Sequence, residues 1–238
     1  MINFKDLHEK LFAMQDSEYR VFQAQMLPNL EEERLIGIRT AELVKFSKKF
    51  FDAKTKIEFL NNLPHKYFEE DLIHVWIISK MRSYDKCIDA VKNFLPYVDN
   101  WSVCDSLIPK IFAQNTAKVL DEIKIWINSN STYTVRFGIL MLMKFYLGKN
   151  FDKKYLQLVA DIQTKEYYIE MMAAWFFTEA LIKHYDETIV FLRQKLLLPK
   201  IHTKTIKKAV ESTRLSDEQK DYLKTLRRRN LDERIYHD

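Results

Sequence analysis

Glycine and proline are scarce in this chain, with 3 and 5 among 238 residues. Glycine supplies most turns that need a positive φ, and glycine and proline commonly bound short strands. Their scarcity argues against a protein built from many short strands and tight hairpins. Because 47% of the residues are hydrophobic, the chain has ample material for a buried core. The composition therefore predicts an all-α fold.

Cysteine is also scarce, and long apolar runs are missing. Cys87 and Cys104 are too few for a disulfide framework, and no Cys-x-x-Cys pair or Cys/His cluster indicates a metal site. No apolar run reaches the roughly 18 residues of a membrane span. The first residues lack the basic, apolar and small-residue sections of a signal peptide. We therefore expect a cytoplasmic protein that binds no metal and does not cross a membrane.

The chain does contain a hydrophobic pattern with helical period along nearly its whole length. The pattern predicts fourteen helices, one of them over residues 101–113. Helix pairs recur about every 35–40 residues, within the range of HEAT-type repeats. This spacing predicts one α-solenoid domain of HEAT-like repeats over residues 1–227, with a concave surface for an extended ligand. A basic tail follows over 228–238. A compact helical bundle is the alternative.

The excess positive charge lies near the C-terminal end. The formal net charge is +5; residues 195–238 carry 12 basic and 7 acidic side chains, whereas residues 1–194 carry 26 of each. Three of these lysines, Lys204, Lys207 and Lys208, lie at helical spacing. They are a candidate anion-binding surface. An ordinary solvated helix face is the alternative.

Residues 99–105 place an indole and a carboxylate four residues apart. On a helix, Trp101 and Asp105 would lie on one face. An aromatic face and a carboxylate both attract positive charge, and exclusion of water strengthens that attraction. The pair is therefore a candidate site for a cation. A buried tryptophan with a solvated or capping aspartate is the alternative.

Three further segments carry candidate functional residues. Arg136 lies early in an otherwise apolar helix, where it would form a buried ion pair or bind a phosphate. Trp175 lies in a hydrophobic helix and would be a core residue or an aromatic contact. Gly37 precedes a helix that begins near Arg39 and Thr40. Free amides at that turn, with these two side chains, would suit a phosphate.

These residues resemble a known family in their order and separation. The chain is similar to the AlkD-type DNA alkylation repair family, the HEAT-like-repeat DNA glycosylases, over nearly its whole length. The most specific matches are the segment 101–106, Arg136 at the head of its apolar helix, and Trp175 between Ala174 and Phe176. The turn at Gly37 is a weaker match.

The resemblance implies hydrolysis of the N-glycosidic bond of cationic N3- or N7-alkylpurines in duplex DNA, without a tight base-flipping pocket. It implies that Asp105 is the catalytic carboxylate and that Trp101 and Trp175 are aromatic walls of the site. It implies that Arg136 contacts the DNA backbone. Lys144 lies two helical turns beyond Arg136 and would reach a neighbouring phosphate.

The implied partner is double-stranded DNA that contains alkylated purines, bound by a monomer that associates with the nucleoid. No metal or organic cofactor is implied. The chain departs from the family pattern at Asn100, where a second aromatic residue can stand, and at Thr178, where a basic residue can stand. Backbone contacts or substrate range would differ accordingly.

Two other functions fit the same residues. A non-catalytic relative would bind branched or otherwise structured DNA and release no base. A helical-repeat scaffold would bind a peptide or protein, with Trp101 and Trp175 as packing or interface residues.

Overall fold

The computed structural model of the chain describes residues 3–228. This range is helical and contains no strand, as predicted. The α-helices are α1 Phe4–Phe12, α2 Ser17–Met26, α3 Thr40–Phe50, α4 Ala53–Leu60, α5 Phe68–Ser79, α6 Tyr84–Phe94, α7 Trp101–Ser106, α8 Thr116–Ile127, α9 Thr132–Phe145, α10 Lys153–Ala160, α11 Tyr167–Lys183, α12 Tyr185–Arg193, α13 Pro199–Glu211 and α14 Asp217–Thr225. Short 3-10 helices span Glu32–Arg34, Leu95–Tyr97 and Lys110–Gln114.

One predicted helix is about half as long as expected. The helix predicted over 101–113 ends at Ser106, because Leu107 is extended with φ −81° and ψ 91°. Pro109 lies two residues later, lacks an N–H and disfavours helical conformation in the residue before it. The N–H of Ile108 instead donates to Oγ of Ser79 at 3.0 Å. The prediction was therefore wrong beyond residue 106.

The chain divides into two compact units between Asn115 and Thr116. Unit 1 is described from residue 3 to residue 115, and unit 2 from residue 116 to residue 228. A single repeat domain over 1–227 stays a prediction. Of the predicted basic tail over 228–238, Arg228 donates from Nη2 to the carbonyls of Lys195 and Leu197 at 3.1 and 3.3 Å. The rest of that tail lies outside the described residues.

Helix α5 is the central helix of unit 1. It packs against α3, α4, α6 and α7. Its side chains from 68 to 75 are all buried, and Phe68, Ile73, Val75 and Ile78 have no solvent exposure. A helix that is buried around most of its circumference forms the core of its unit rather than part of its surface. The other helices of unit 1 therefore take their positions from α5.

The first turn of α5 carries three consecutive buried acidic residues, Glu69, Glu70 and Asp71. Burial of an unpaired carboxylate is costly, so each needs a partner. Glu70 accepts the backbone N–H of Tyr67 at 2.9 Å, and its Oε1 lies 3.1 Å from Nε2 of His8 in α1. Asp71 accepts a hydrogen bond from Nη2 of Arg34 at 2.7 Å. Burial raises the pKa of Asp71 well above its usual range, and the charge of Arg34 opposes this.

In unit 2, α9, α11 and α13 pack side by side. Helix α11 contacts both α9 and α13, and α8 contacts α9. Gly138 in α9 permits the close contact with α8, since an added Cβ would lie 2.8 Å from Cγ2 of Ile127. Contacts between alternate helices of the chain are compatible with an α-solenoid. The solenoid and its concave surface stay predictions.

No helix within residues 3–228 combines the length and apolar character needed to cross a bilayer.

Two buried histidines pair within unit 1. Nε2 of His65 lies 2.8 Å from Nδ1 of His74. Phe59 stacks on His65 with ring centroids 4.4 Å apart, and Phe94 stacks on His74 at 4.0 Å. Burial, with a smaller contribution from the charge of Arg34, lowers the pKa of His65 to about 4. Burial lowers the pKa of His74 to about 2. Both rings are therefore neutral at pH 7.

This histidine pair contributes a loss of stability of unit 1 in mild acid. Below a pKa of about 6.5 the unfolded chain binds protons that the folded pair rejects, so the free energy of unfolding falls from there towards pH 4. From His65 alone we expect a loss of about 2 kcal/mol between about pH 7.5 and pH 5. Urea denaturation followed by circular dichroism measures it. A His65→Gln/His74→Gln variant should show a shallower pH dependence, and an equally steep one would contradict the assignment.

Candidate functional site

Trp101 and Asp105 both lie on α7, as the spacing predicts. Trp101 is the first residue of the helix and Asp105 the fifth. Both side chains are half-buried, whereas Val103 and Cys104 between them are buried. The helix therefore buries one side in unit 1 and presents the indole and the carboxylate on the other. The indole of Trp101 is therefore not fully buried, and its contact with a ligand stays a prediction.

A chain of polar contacts fixes the start of α7. Oδ1 of Asn100 accepts the backbone N–H of Val103 at 3.0 Å and caps the helix. Nδ2 of Asn100 donates to Oδ1 of Asp99 at 2.9 Å. Arg34 donates from Nη1 to Asp99 and from Nη2 to buried Asp71. The position of α7 is thus linked through Arg34 to the first turn of α5.

The indole N–H of Trp101 is also bonded within the protein. Nε1 donates to the backbone carbonyl of Met26, the last residue of α2, at 3.0 Å. This hydrogen bond fixes the orientation of the ring. Part of the ring surface of Trp101 stays exposed.

The turn at Gly37 differs from the prediction. The carboxylate of Glu69 accepts the backbone N–H groups of Ile36, Gly37 and Ile38 at 3.2, 2.7 and 3.3 Å. Burial raises the pKa of Glu69, and these three donors oppose the rise. An acidic side chain from α5 already occupies the amides expected to be free for a phosphate. The amides of the turn itself are therefore not free for a phosphate, and phosphate binding at the start of α3 stays a prediction.

Glycine is required in this turn. Gly37 has φ +88°, and an added Cβ would lie 2.4 Å from Cβ of Arg20.

The next two predicted contacts, Arg39 and Thr40, are exposed. Nε of Arg39 donates to Oδ2 of Asp16 at 2.7 Å. Contact of Arg39 and Thr40 with DNA stays a prediction.

In unit 2 the structure brings Lys144 and Trp175 together. Trp175 is 36% exposed, while its neighbours Ala174 and Phe176 are fully buried. Lys144 is exposed on α9, and its Nζ lies 5.8 Å from the centroid of the Trp175 ring. Trp175 is therefore a surface residue and not a core residue. The two form a cation–π pair that faces solvent.

Arg136 is the fifth residue of α9 and is mostly buried. Its exposed fraction is 6%, and Nη1 donates to the backbone carbonyl of Tyr168 at 2.7 Å. This bond joins α9 to the first turn of α11. Little of the side chain remains for a phosphate. Its role as a DNA contact stays a prediction.

The three lysines of α13 have different surroundings. Lys204 donates to buried Glu170 of α11, and its Nζ lies 4.6 Å from the ring centroid of Tyr167. Its charge is thus neutralised within unit 2, so Lys204 is not the open cation that the spacing suggests. Lys207 is exposed and Lys208 is half-buried. Their contact with an anion stays a prediction.

Both departures from the family pattern have structural roles. Asn100 is 2% exposed and caps α7. Thr178 is 5% exposed, and its hydroxyl donates to the carbonyl of Ala174 at 2.8 Å within α11. Neither residue is placed to contact a ligand directly.

Sequence reasoning missed Arg34 and Asp99 as residues that hold α7. Arg34 stands in a charged segment, 30–34, that reads as an ordinary solvated loop. Asp99 lies 65 residues away from it along the chain. The two residues are not related by a helical or a strand period, so no sequence pattern indicates that they pair.

A model of one protein family matches residues 7–221, and the family is described as DNA alkylation repair enzyme. No curated protein matches the chain.

Loss of the Asn100 cap should disturb Trp101 specifically. Replacement of a capping asparagine by alanine costs about 1 kcal/mol. We expect Asn100→Ala to shift or broaden the Trp101 signal in ¹⁹F NMR of fluorotryptophan-labelled protein. Ser83→Ala is the matched control, because Ser83 caps α6 of the same unit in the same way. Equal effects of both variants on the Trp101 signal would contradict a specific role for Asn100.

Proposed function

The chain belongs to the family of DNA alkylation repair enzymes, and we propose that it is a DNA glycosylase that hydrolyses the N-glycosidic bond of cationic N3- or N7-alkylpurines in duplex DNA. The family model covers most of the chain, from residue 7 to residue 221. Family membership assigns it to alkylation repair with DNA as substrate. The presentation of Trp101 and Asp105 on one side of α7 is the observation that carries the finer proposal.

The chemistry needs few catalytic groups. An N3- or N7-alkylated purine is already positively charged, so it leaves as a neutral base without protonation by an acid. The electron pair of the C1′–N bond goes to the purine, and positive charge develops on the deoxyribose. The oxygen of a water molecule then bonds to C1′, and its proton is released. One carboxylate that stabilises the sugar cation and orients the water is sufficient.

Asp105 is the carboxylate that we propose for this role. It is half-buried on a helix that is fixed by the Asn100 cap and by the link from Arg34 to Asp99. Partial burial strengthens its interaction with a developing positive charge. Fixed attachment of the helix limits the reorganisation that would otherwise accompany the reaction.

Trp101 lies one helical turn before Asp105, and we propose that its ring faces the same sugar. An aromatic face favours a cation and displaces water. Its N–H donates to the carbonyl of Met26. The ring therefore acts through its surface rather than through a hydrogen bond.

On unit 2, Trp175 and Lys144 are a second proposed DNA contact. The exposed indole offers a stacking surface, and the ammonium group of Lys144 beside it offers a phosphate contact. The contacts of α11 with both α9 and α13 support the proposal of a HEAT-like solenoid that binds DNA along a concave surface as a monomer. Base excision repair would follow release of the base.

Asp105→Asn should greatly slow base release. Loss of one preorganised electrostatic group costs about 2–4 kcal/mol in the transition state, or roughly 30- to 1,000-fold in rate. Release of 7-methylguanine and 3-methyladenine from methylated duplex DNA, followed by chromatography, measures the change. Asp89→Asn in α6 of the same unit is a matched control, because Asp89 is exposed. It should release base at the wild-type rate.

The same assay separates the alternatives. Wild-type turnover by Asp105→Asn would remove Asp105 from the mechanism. DNA binding by the wild-type protein without any base release would favour the non-catalytic DNA binder. Absence of both DNA binding and base release at moderate salt would favour the protein-binding scaffold.

Lys144→Gln should weaken binding to duplex DNA and reduce its salt dependence. Loss of one phosphate contact lowers the slope of log Kd against log salt concentration by about 0.9. Fluorescence anisotropy between about 50 and 200 mM salt measures the slope. Lys149→Gln is the matched control, since Lys149 is an exposed lysine of the same unit outside the Trp175 pair. An equal decrease in both variants would contradict a specific contact at Lys144.

A further inference from the structure

A second basic feature lies in unit 1 and is absent from the predicted site residues. A cleft of about 570 Å³ opens between the end of α5 and the segment that follows α7. Its lining contains Lys80, Arg82, Lys110 and Gln114, together with the apolar side chains of Met81 and Ile111. Among residues 3–228, no acidic side chain lines it. We call it the basic cleft.

The three cations of the basic cleft are exposed. Within residues 3–228, none of them forms an ion pair, a hydrogen bond or a ring contact through its side chain. Other cations of unit 1 are engaged by the protein; Arg34 bonds to Asp71 and Asp99, and Arg39 bonds to Asp16. Three like charges around one cleft repel one another, and the cleft concentrates their field. A bound anion would remove that repulsion.

Helix electrostatics explain only one of these charges. Lys80 ends α5, where a positive side chain interacts favourably with the helix dipole. Lys110 begins the 3-10 helix 110–114, the end at which a positive charge is unfavourable. Arg82 lies in the loop before α6 and belongs to no helix. Local stability therefore does not account for their convergence.

The basic cleft is close to Asp105 along the chain, and a hydrogen bond joins the two segments that form it. Lys110 is five positions after Asp105 in the chain, so their Cα atoms are at most about 18 Å apart. The hydrogen bond from Ile108 N–H to Ser79 Oγ joins the two segments that form the cleft. One DNA strand advances about 3.4 Å per nucleotide, so the cleft lies within about five nucleotides of Asp105.

We propose that the basic cleft binds a backbone phosphate of the DNA strand beside the site of base release. Arg82 supplies a planar fork of donors, and Lys80 and Lys110 supply point charges around one phosphodiester group. The proposal rests on the proposed function only for the position of the reacting nucleotide, since family membership already gives DNA as the ligand. The cleft would fix the DNA while Asp105 acts on the sugar.

The test removes all three charges in one variant, Lys80→Gln/Arg82→Gln/Lys110→Gln. For one shared phosphate, we expect the slope of log Kd against log salt to fall by about 0.9 for undamaged duplex DNA, with about tenfold weaker binding at low salt. The KM for base release should rise by a similar factor. The substituted residues are exposed, and a melting temperature near that of the wild type would verify the fold.

A charge-matched control replaces Lys48, Lys54 and Lys56 by glutamine, three lysines of the same unit that do not line the basic cleft. For this control variant, the slope of log Kd against log salt should stay within about 0.3 of the wild-type value. A decrease as large as that of the cleft variant would overturn the proposal, because net charge alone would then explain the effect. An unchanged slope in the cleft variant would also overturn it.

The binding measurement does not depend on glycosylase activity. If the wild-type protein releases no base but the cleft variant loses salt dependence, the basic cleft stands and the glycosylase proposal fails. If the wild-type protein releases base and the cleft variant binds DNA normally, the cleft proposal alone fails. Stabilisation of the wild type, but not of the variant, by inorganic phosphate together with unchanged DNA affinity would identify a small-anion site and overturn the proposal.

Discussion

Unit 1 depends on the pairing of three consecutive buried carboxylates in the first turn of α5. Glu69 accepts the amides of 36–38, Glu70 contacts the cap of its own helix and His8, and Asp71 accepts a bond from Arg34. Charges taken out of water are tolerated only when partners compensate for the lost hydration. Burial of α5 therefore requires α1, the turn at Gly37 and Arg34 to be in place together. This requirement makes the fold of unit 1 cooperative.

The same network reaches the proposed catalytic helix. Helix α7 has six residues, far fewer than an isolated helix needs to be stable in water. Its position is determined by contacts with the rest of unit 1: the link from Arg34 to Asp99, the Asn100 cap, and the bond from Trp101 to Met26. A short helix fixed at its first turn has little freedom to rotate. Asp105, near the other end of the helix, therefore has a fixed orientation.

Periodicity and punctuation were sufficient to predict the helices, their order and the placement of Trp101 and Asp105 on one helix. The apolar pattern alone predicts a helix over 101–113. The early end of α7 follows from Pro109, which disfavours helical conformation in the residue before it. Local sequence patterns do not predict hydrogen bonds between segments that are distant along the chain. Glu69 lies 32 residues from Gly37, and Glu170 lies 34 residues from Lys204. In each case a local motif suggested a free donor, and a carboxylate distant in sequence occupied it.

The hydrogen bond between Trp101 and Met26 has a consequence for which lesions the proposed enzyme would accept. The indole ring has one hydrogen-bond donor, and that donor is directed into the protein. Trp101 is thus unable to read the donor and acceptor pattern along the edge of a purine, which is how proteins tell adenine from guanine. What remains is a flat surface sensitive to positive charge and shape. Discrimination at Trp101 would therefore separate charged from neutral nucleotides while accepting adenine and guanine adducts alike.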